Sequence, residues 1–194
     1  IALSGYQMMN GLYDSARADL LRGLERDTAN MLIKMNLGLN KLFTGDTVGA
    51  KEMLATVAST GRSGAAEAKI ILGHLYLHGR ERAEQARAIP LFQEAVAAFQ
   101  SRISSHDIIP GEQMWLGMAF LGLDDQSNAL SSLQVADFLE SRPFYRGIIA
   151  LWLGKAADLR GERDVALGYY NTVLSSSAAH YTQAEARRYQ FRPY

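Results

Sequence analysis

The stretch NLGLNKLFTGDTVGAKEMLATV, residues 36–57, decides the fold that we predict for this chain. A turn at Gly45 separates two short helical segments, and the second segment carries apolar residues at helical spacing, at Ala50 and Leu54. The small residues Gly38 and Ala50 let the two helices pack closely, and we expect Ala50 to face Gly38. Neither helix is long enough to be stable alone in water, so we expect the pair to stack on similar pairs.

The same pattern recurs along the chain, which indicates a repeat protein. Gly11 and Ala16 precede Gly45 and Ala50 by 34 residues, and further Leu-Gly pairs lie at 72–73, 116–117 and 153–154. In the third copy the distance from the glycine to the alanine of the second helix is longer by three residues, because its turn is longer. The predicted two-helix units span residues 1–27, 28–60, 63–102, 110–140 and 143–174, with a capping helix over 178–192.

The repeated motif is similar to the tetratricopeptide repeat, since each full copy has a Leu-Gly pair in its first helix and an alanine at a fixed position in its second. The third unit, with LGHLYLHG and its longer turn, resembles the related Sel1-like variant. The resemblance implies an all-α fold, a right-handed α-solenoid of about five helix hairpins plus a C-terminal capping helix. We expect residues 1–194 to be a single repeat domain. The chain departs from the motif at Lys41, where an aromatic residue is usual, and at Asp124, where glycine is usual.

Composition supports a helical fold and excludes several classes of function. Hydrophobic residues make up 48% of the 194 residues, which is ample for a continuous core, and the apolar residues show little of the alternation typical of strands. Lys+Arg and Asp+Glu number 20 each, a balance that argues against nucleic-acid binding. No apolar run approaches the roughly 18 residues of a membrane helix. We expect a fragment of a longer protein, and both cytoplasmic and exported locations remain open.

Prolines predict where individual helices begin or break. Pro110 and Pro143 should each open a helix, because proline suits the first helical turn. Pro90 falls within the second helix of the third unit, where it removes a backbone hydrogen bond. That helix should therefore either begin close to Ile89 or be kinked. We expect a break in the regularity of the repeats between residues 79 and 111.

Residue types capable of catalysis or metal binding occur without a catalytic pattern. His74 and His78 lie one helical turn apart and Glu67 two turns before His74, so this trio has the residue types of a zinc site. Groove histidines without a metal are the favoured interpretation. The adjacent residues 105–107, Ser-His-Asp, cannot converge as a catalytic triad does. We therefore predict that the chain is not an enzyme and has no cofactor.

The tetratricopeptide resemblance implies a concave groove lined by the first helices of the repeats. Residues one, four and five positions after the repeat glycine, and three before it, are expected to point into this groove. The lining is apolar and rich in methionine, a flexible side chain that suits varied apolar partners. The predicted groove residues are Met8, Met9, Met35, Leu39, Leu42, Phe43, Ile70, His74, Leu77, His78, Met114, Met118, Leu121, Lys155 and Asp158.

This lining predicts a protein-interaction module that binds an apolar peptide or helix of a protein partner. One alternative is that the same apolar positions belong to the core, shielded by curvature or by a further helix. Another is that the chain is a structural spacer or a self-associating element that forms a homo-oligomer.

Overall fold

The structure is a computed structural model that describes residues 2–105, 107–176 and 180–194. Eleven α-helices and no β-strands occupy these residues, and consecutive helices pack on each other, which confirms the predicted all-α fold of helix hairpins. The helices are α1 (Ala2–Met9), α2 (Tyr13–Arg26), α3 (Met31–Phe43), α4 (Thr47–Ala58), α5 (Ala65–Leu77), α6 (Arg82–Ile103), α7 (Pro110–Gly122), α8 (Gln126–Leu139), α9 (Pro143–Leu159), α10 (Arg163–Ser175) and α11 (His180–Phe191).

Each hairpin is closed by a small residue of its first helix and a large buried residue of its second. A Cβ atom on Gly38 would lie 3.0 Å from Leu54 Cγ, so Leu54, and not Ala50 as we expected, faces the glycine. The reason is that a helical side chain leans toward the N-terminus of its helix and covers the preceding turn. The contacting pairs are Gly38 and Leu54, Gly73 and Phe92, Gly117 and Leu133, and Gly154 and Tyr170. In the first hairpin the corresponding positions hold Ser4 and Leu20, which are both buried.

The turns of four hairpins share one backbone conformation. Gly11, Gly45 and Gly161 have φ angles of 74°, 87° and 76°. Asp124 takes the same left-handed conformation with φ 58°, the position at which the sequence departs from the usual glycine. Asp tolerates this region better than most residues, because its short polar side chain can bond locally. The departure from the motif therefore leaves the turn intact.

Lys41, the second departure from the repeat motif, forms an ion pair with Asp46 in the turn that follows α3. Its ammonium lies 2.6 Å from Asp46 Oδ2, and Asp46 Oδ1 accepts a hydrogen bond from the Gly49 N–H at 2.9 Å, which caps α4. The hydrogen bond from Lys41, with the one from Gly49, lowers the pKa of Asp46. A charge pair thus stands where the repeat usually packs an aromatic ring.

The prolines behave in two ways. Pro110 and Pro143 each begin a helix, as predicted. Pro90 instead lies inside α6, which begins at Arg82, so the expectation of a start near Ile89 is wrong. Pro90 removes the helical donor of the Ala86 carbonyl, but both residues are exposed, and α6 continues through the proline.

The chain forms two compact units, Ile1–Ala95 and Val96–Tyr194, which we call the N-terminal unit and the C-terminal unit. The division falls inside α6, and the prediction of a single repeat domain stays a prediction. In the C-terminal unit α9, α10 and α11 share a core cluster that includes Leu151, Tyr170 and Tyr189. Within the described ranges, no helix combines the length and the apolar character that crossing a membrane requires.

Candidate functional site

In the N-terminal unit, most predicted groove residues on α3 are partly accessible. Met35, Leu39, Leu42 and Phe43 are half-buried, as is Met9 on α1. The neighbouring Met8 is buried, with 4% of its surface exposed. The unit therefore presents apolar side chains at the predicted positions without fully enclosing them.

Contacts with neighbouring helices fix the ends of this α3 surface. The Phe43 ring packs on the Tyr13 ring of α2, with ring centroids 6.0 Å apart, and Asn40 Nδ2 donates to the Tyr13 carbonyl at 2.8 Å. At the other end, a Cβ on Gly64 would lie 3.2 Å from Met35 Sδ, so Met35 rests against the turn that precedes α5. These contacts hold the side chains of α3 in place.

The predicted groove residues of α5 and its C-terminal turn vary in exposure. Ile70 is fully buried, His74 and Leu77 are half-buried, and His78 is exposed. The imidazoles of His74 and His78 stack with centroids 6.4 Å apart, and the His74 ring meets the edge of Phe92 at 4.8 Å. The stacked rings of His74 and His78 are therefore partly accessible at the C-terminal end of α5.

The three candidate zinc ligands are not brought together. Glu67 precedes His74 by two helical turns, roughly 10 Å along the helix axis, which is too far for one ion. Across the residues with assigned positions, no three His, Cys, Asp or Glu side chains lie close enough to hold a metal. The described side chains thus give the zinc hypothesis for Glu67, His74 and His78 no support, and it stays a prediction.

Part of the Ser-His-Asp stretch can be placed. Ser105 Oγ donates to the Arg102 carbonyl at 2.6 Å, so its hydroxyl caps the end of α6. His106 lies outside the described residues. The prediction that the chain is not an enzyme stays a prediction.

In the C-terminal unit, the predicted groove residues of α7 are core residues. Met114, Met118 and Leu121 expose only 4%, 6% and 5% of their surface. They occupy the register that leaves Met35, Leu39 and Leu42 half-buried in α3. A substitution of Met118 by a charged residue would therefore disturb the core, and it is not a clean test of binding.

Lys155 on α9 is buried beneath the C-terminal segment. Its ammonium lies 2.8 Å from Glu185 Oε2 on α11. It also lies 4.0 Å from the centroid of the Trp152 ring and 4.9 Å from that of the Tyr194 ring, distances typical of cation–π contact. Lys155 therefore does not face an open groove in this structure.

Asp158, one turn further along α9, is the centre of a hydrogen-bond network. Its side chain is 1% exposed and accepts two bonds from Arg163 Nη1, at 2.9 and 3.0 Å, and one from the Tyr170 hydroxyl at 2.8 Å. Arg163 Nη2 also donates to the carbonyls of Tyr189 and Gln190 at the end of α11. Burial, with the bond to Asp158, raises the pKa of Tyr170, and burial raises the pKa of Tyr189 to about 12. The network fastens α11 to the last hairpin.

Sequence reasoning missed the partners in this network. Lys155 and Asp158 of α9 contact residues that lie up to 36 positions further along the chain. These partners are Arg163, Tyr170, Glu185 and Tyr194. The predicted groove positions belong to the first helices alone. No sequence signal connected Tyr194 with α9.

Two surface depressions also lie outside the predicted groove positions. One, of about 360 Å³, is lined by side chains that include Ser131 and Gln134 of α8 and Tyr169 of α10. The other, of about 300 Å³, includes Val48 of α4 and Glu84 of α6. Both are shallow and open, so neither encloses a small molecule.

Solved structures of repeat proteins resemble this chain over nearly its whole length. TTC0263, a thermophilic tetratricopeptide-repeat protein of Thermus thermophilus, aligns with a TM-score of 0.64 at 21% identity, covering 98% of this chain and 95% of TTC0263. MamA aligns at 0.42 and 20% identity, covering 97% and 99%. A protein of Podospora anserina with nearly identical tetratricopeptide-like repeats of the kinesin light chain type aligns at 0.49 and 18%, covering 96% and 94%.

The similarity to TTC0263 shows that the chain has the tetratricopeptide-repeat fold. No known protein-family profile and no curated protein sequence matches it. The Sel1-like character of the third hairpin stays a prediction.

Proposed function

We propose that this chain, with its tetratricopeptide-repeat fold, is a protein-interaction scaffold that holds an apolar helix or peptide of a partner protein. The proposed contact surface is the set of predicted groove residues in the N-terminal unit that are not buried, which we call the N-terminal face. It consists of Met9, Met35, Leu39, Leu42, Phe43, His74, Leu77 and His78.

The observation that carries the proposal is the partial exposure of apolar side chains at successive first-helix positions. Leu39, Leu42 and Phe43 are all half-buried, and Leu77 repeats this state one hairpin later. Contiguous accessible apolar surface is unusual in a protein without partners and marks binding sites. An amphipathic helix fits such a surface with anchors at i, i+3, i+4 and i+7.

Binding of an amphipathic helix can be tested with one substitution in the N-terminal face. The probe is a fluorescein-labelled helical peptide with Leu at i, i+3, i+4 and i+7 and Gln elsewhere, measured by fluorescence anisotropy. We expect Leu39→Glu to weaken its binding at least tenfold, because the carboxylate would be desolvated under the peptide. Circular dichroism should show unchanged helical content, since Leu39 is only half-buried.

Val48→Glu is the matched control. Val48 is 71% exposed on α4, outside the N-terminal face, so the same new charge there should leave the affinity unchanged. A scrambled peptide of the same composition should bind weakly to every variant. Equal affinity of the original chain and Leu39→Glu for the helical peptide would contradict the proposal.

Self-association is the second candidate, favoured by the exposed apolar residues of α1. Leu3 and Tyr6 expose 62% and 61% of their surface one turn apart on that helix. A second copy that packs on α1 would bury both. Light scattering at several concentrations separates the two proposals, since a mass that stays monomeric contradicts self-association and leaves peptide binding unaffected.

A further inference from the structure

The segment of residues 192–194 turns back into the C-terminal unit, and we call it the return segment. Arg192 and Pro193 are exposed, whereas Tyr194 is half-buried against α9 and α11. The Tyr194 N–H donates to Asp158 Oδ2 at 3.0 Å. The Tyr194 ring meets the Tyr189 ring edge-on, with centroids 5.3 Å apart and planes at 86°. The Tyr194 ring and the Tyr194 N–H thus both help to hold the return segment in place.

The charged groups that contact Tyr194, Lys155 and Asp158, also have other partners. Asp158 is already paired with Arg163 and bonded by the Tyr170 hydroxyl. Lys155 is paired with Glu185 and lies over the Trp152 ring. Removal of Tyr194 would therefore leave neither buried charge without a partner. Because these charges are already paired, the site is preorganised, and Tyr194 occupies it as a ligand would.

The chemistry of this site defines the class of ligand. An ammonium 4.9 Å from the ring centroid attracts any aromatic face, and a buried carboxylate accepts a bond from any backbone N–H, which only proline lacks. Pro193 keeps the approaching segment non-helical, because it lacks an N–H and has a fixed φ. The site therefore fits an extended peptide in which an aromatic residue follows proline.

We propose that Tyr194 is an internal ligand in a peptide subsite formed by Trp152, Lys155 and Asp158, and that an aromatic residue of a partner peptide binds there when the return segment is displaced. This inference rests on the proposed function, because Lys155 and Asp158 are the predicted groove positions of the last hairpin. A tethered ligand has an effective concentration in the millimolar range, so the return segment outcompetes a weakly binding free peptide. Partner binding at this subsite is thereby regulated by the return segment.

The test uses Trp152 as a reporter. The chain has two tryptophans, so the indole N–H signals of Trp152 and Trp115 can be followed separately by NMR. The probe is the capped peptide RRYQFRPY, the sequence of residues 187–194, added to the Tyr194→Ala variant. We expect a saturable shift of the Trp152 signal toward its position in the original chain, with Trp115 unchanged. The original chain should respond at least tenfold more weakly.

Matched peptides and variants make the result decisive. RRYQFRPA lacks only the aromatic ring and should bind at least tenfold more weakly to Tyr194→Ala. Phe191→Ala removes a side chain from a residue that is 85% exposed and should leave the Trp152 signal of the original chain in place. Tyr194→Phe keeps the ring and should behave as the original chain does.

Two results would overturn the inference. One is a Trp152 signal in Tyr194→Ala that ignores RRYQFRPY or responds equally to RRYQFRPA. The other is loss of the native Trp115 signal in Tyr194→Ala, which would show that Tyr194 is required for folding. Neither result bears on the N-terminal face, whose own test is Leu39→Glu, so the two proposals fail separately.

Discussion

Residues at the same register of the repeat differ in burial between the N-terminal and C-terminal units. On α3 the predicted groove residues Leu39 and Leu42 are half-buried apolar side chains. On α7 the corresponding Met118 and Leu121 are buried, and on α9 the register places Lys155 beneath α11 and Tyr194. A register position therefore fixes the direction in which a side chain points, while the segments packed over it decide whether it is surface or core.

The two units also differ in how tightly their hairpins are closed, and alanine at the repeat glycines should show this most strongly. A Cβ on Gly154 would lie 2.5 Å from Cε1 of Tyr170, whose hydroxyl is held by Asp158, so the ring cannot move aside. We expect Gly154→Ala to lower the free energy of unfolding by about 3 kcal/mol. A Cβ on Gly38 would lie 3.0 Å from Leu54 Cγ, a milder overlap than at Gly154, and Gly38→Ala should cost about 1 kcal/mol.

The control for this pair is Gly168→Ala. Gly168 lies in α10, and a Cβ added to it would have no atom within 4 Å, so alanine there should stabilise the helix by roughly 0.5–1 kcal/mol. Urea denaturation followed by circular dichroism measures all three variants. Equal losses for Gly154→Ala and Gly38→Ala would show that both units tolerate the extra methyl group alike. That result would contradict the expected difference in how tightly the hairpins of the two units are closed.

The buried charges of the C-terminal unit give the next largest effect. Arg163→Met leaves the Asp158 carboxylate, 1% exposed, with the Tyr170 hydroxyl and the Tyr194 N–H as its remaining donors. An under-compensated buried charge is costly, so we expect a loss of about 2 kcal/mol in the free energy of unfolding. Arg160→Met is the matched control, because Arg160 and Glu162 are each 41% exposed and such pairs contribute about 0–1 kcal/mol.

Unfolding in urea at neutral pH distinguishes these two arginines. A similar small loss for both would mean that water replaces Arg163 at Asp158, and that the network is not sealed by α11. The expected large difference would instead support the view that the last hairpin and α11 form one fastened element, in contrast with the open surface of α3.

Local patterns predicted the fold, because the residues that form a hairpin lie close together in the sequence. The spacing of Gly38 and Leu54 recurs at Gly117 and Leu133, and both pairs are in contact. Even so, the pattern could not show that Leu54 and not Ala50 faces Gly38, since both are apolar and lie one turn apart. The start of α6 was also missed, because α6 continues through Pro90 at a position where Pro90 and Ala86 are both exposed.

The site could be predicted only in part, because coverage depends on residues distant in the sequence. The repeat register singled out Lys155 and Asp158, but it did not show that both are covered. Their burial depends on Glu185 and Tyr194, which follow them by 30 and 36 residues and carry no repeat motif. In the N-terminal unit, by contrast, the described residues leave Leu39 half-buried, so the same register position there corresponds to accessible surface.

The smallest expected effect concerns the turn that both units share. Asp124 adopts φ 58° in the C-terminal unit, where Gly45 of the N-terminal unit has φ 87°. A left-handed backbone costs an L-residue about 1 kcal/mol, which exceeds the weak bond that Asp124 Oδ1 accepts from Gln126 at 3.2 Å. Glycine also gains entropy in the unfolded chain, so Asp124→Gly should stabilise by only about 0.5 kcal/mol.

Gly45→Ala tests the opposite change, from glycine to a residue with a side chain. It isolates the effect of the left-handed backbone on stability, because a Cβ added to Gly45 would have no atom within 4 Å. It should destabilise by about 1 kcal/mol, measured by the same urea transitions. A loss of stability in Asp124→Gly would show that the Asp124 side chain supports the turn by more than its bond to Gln126. The two units would then differ in turn chemistry as well as in what covers their first helices.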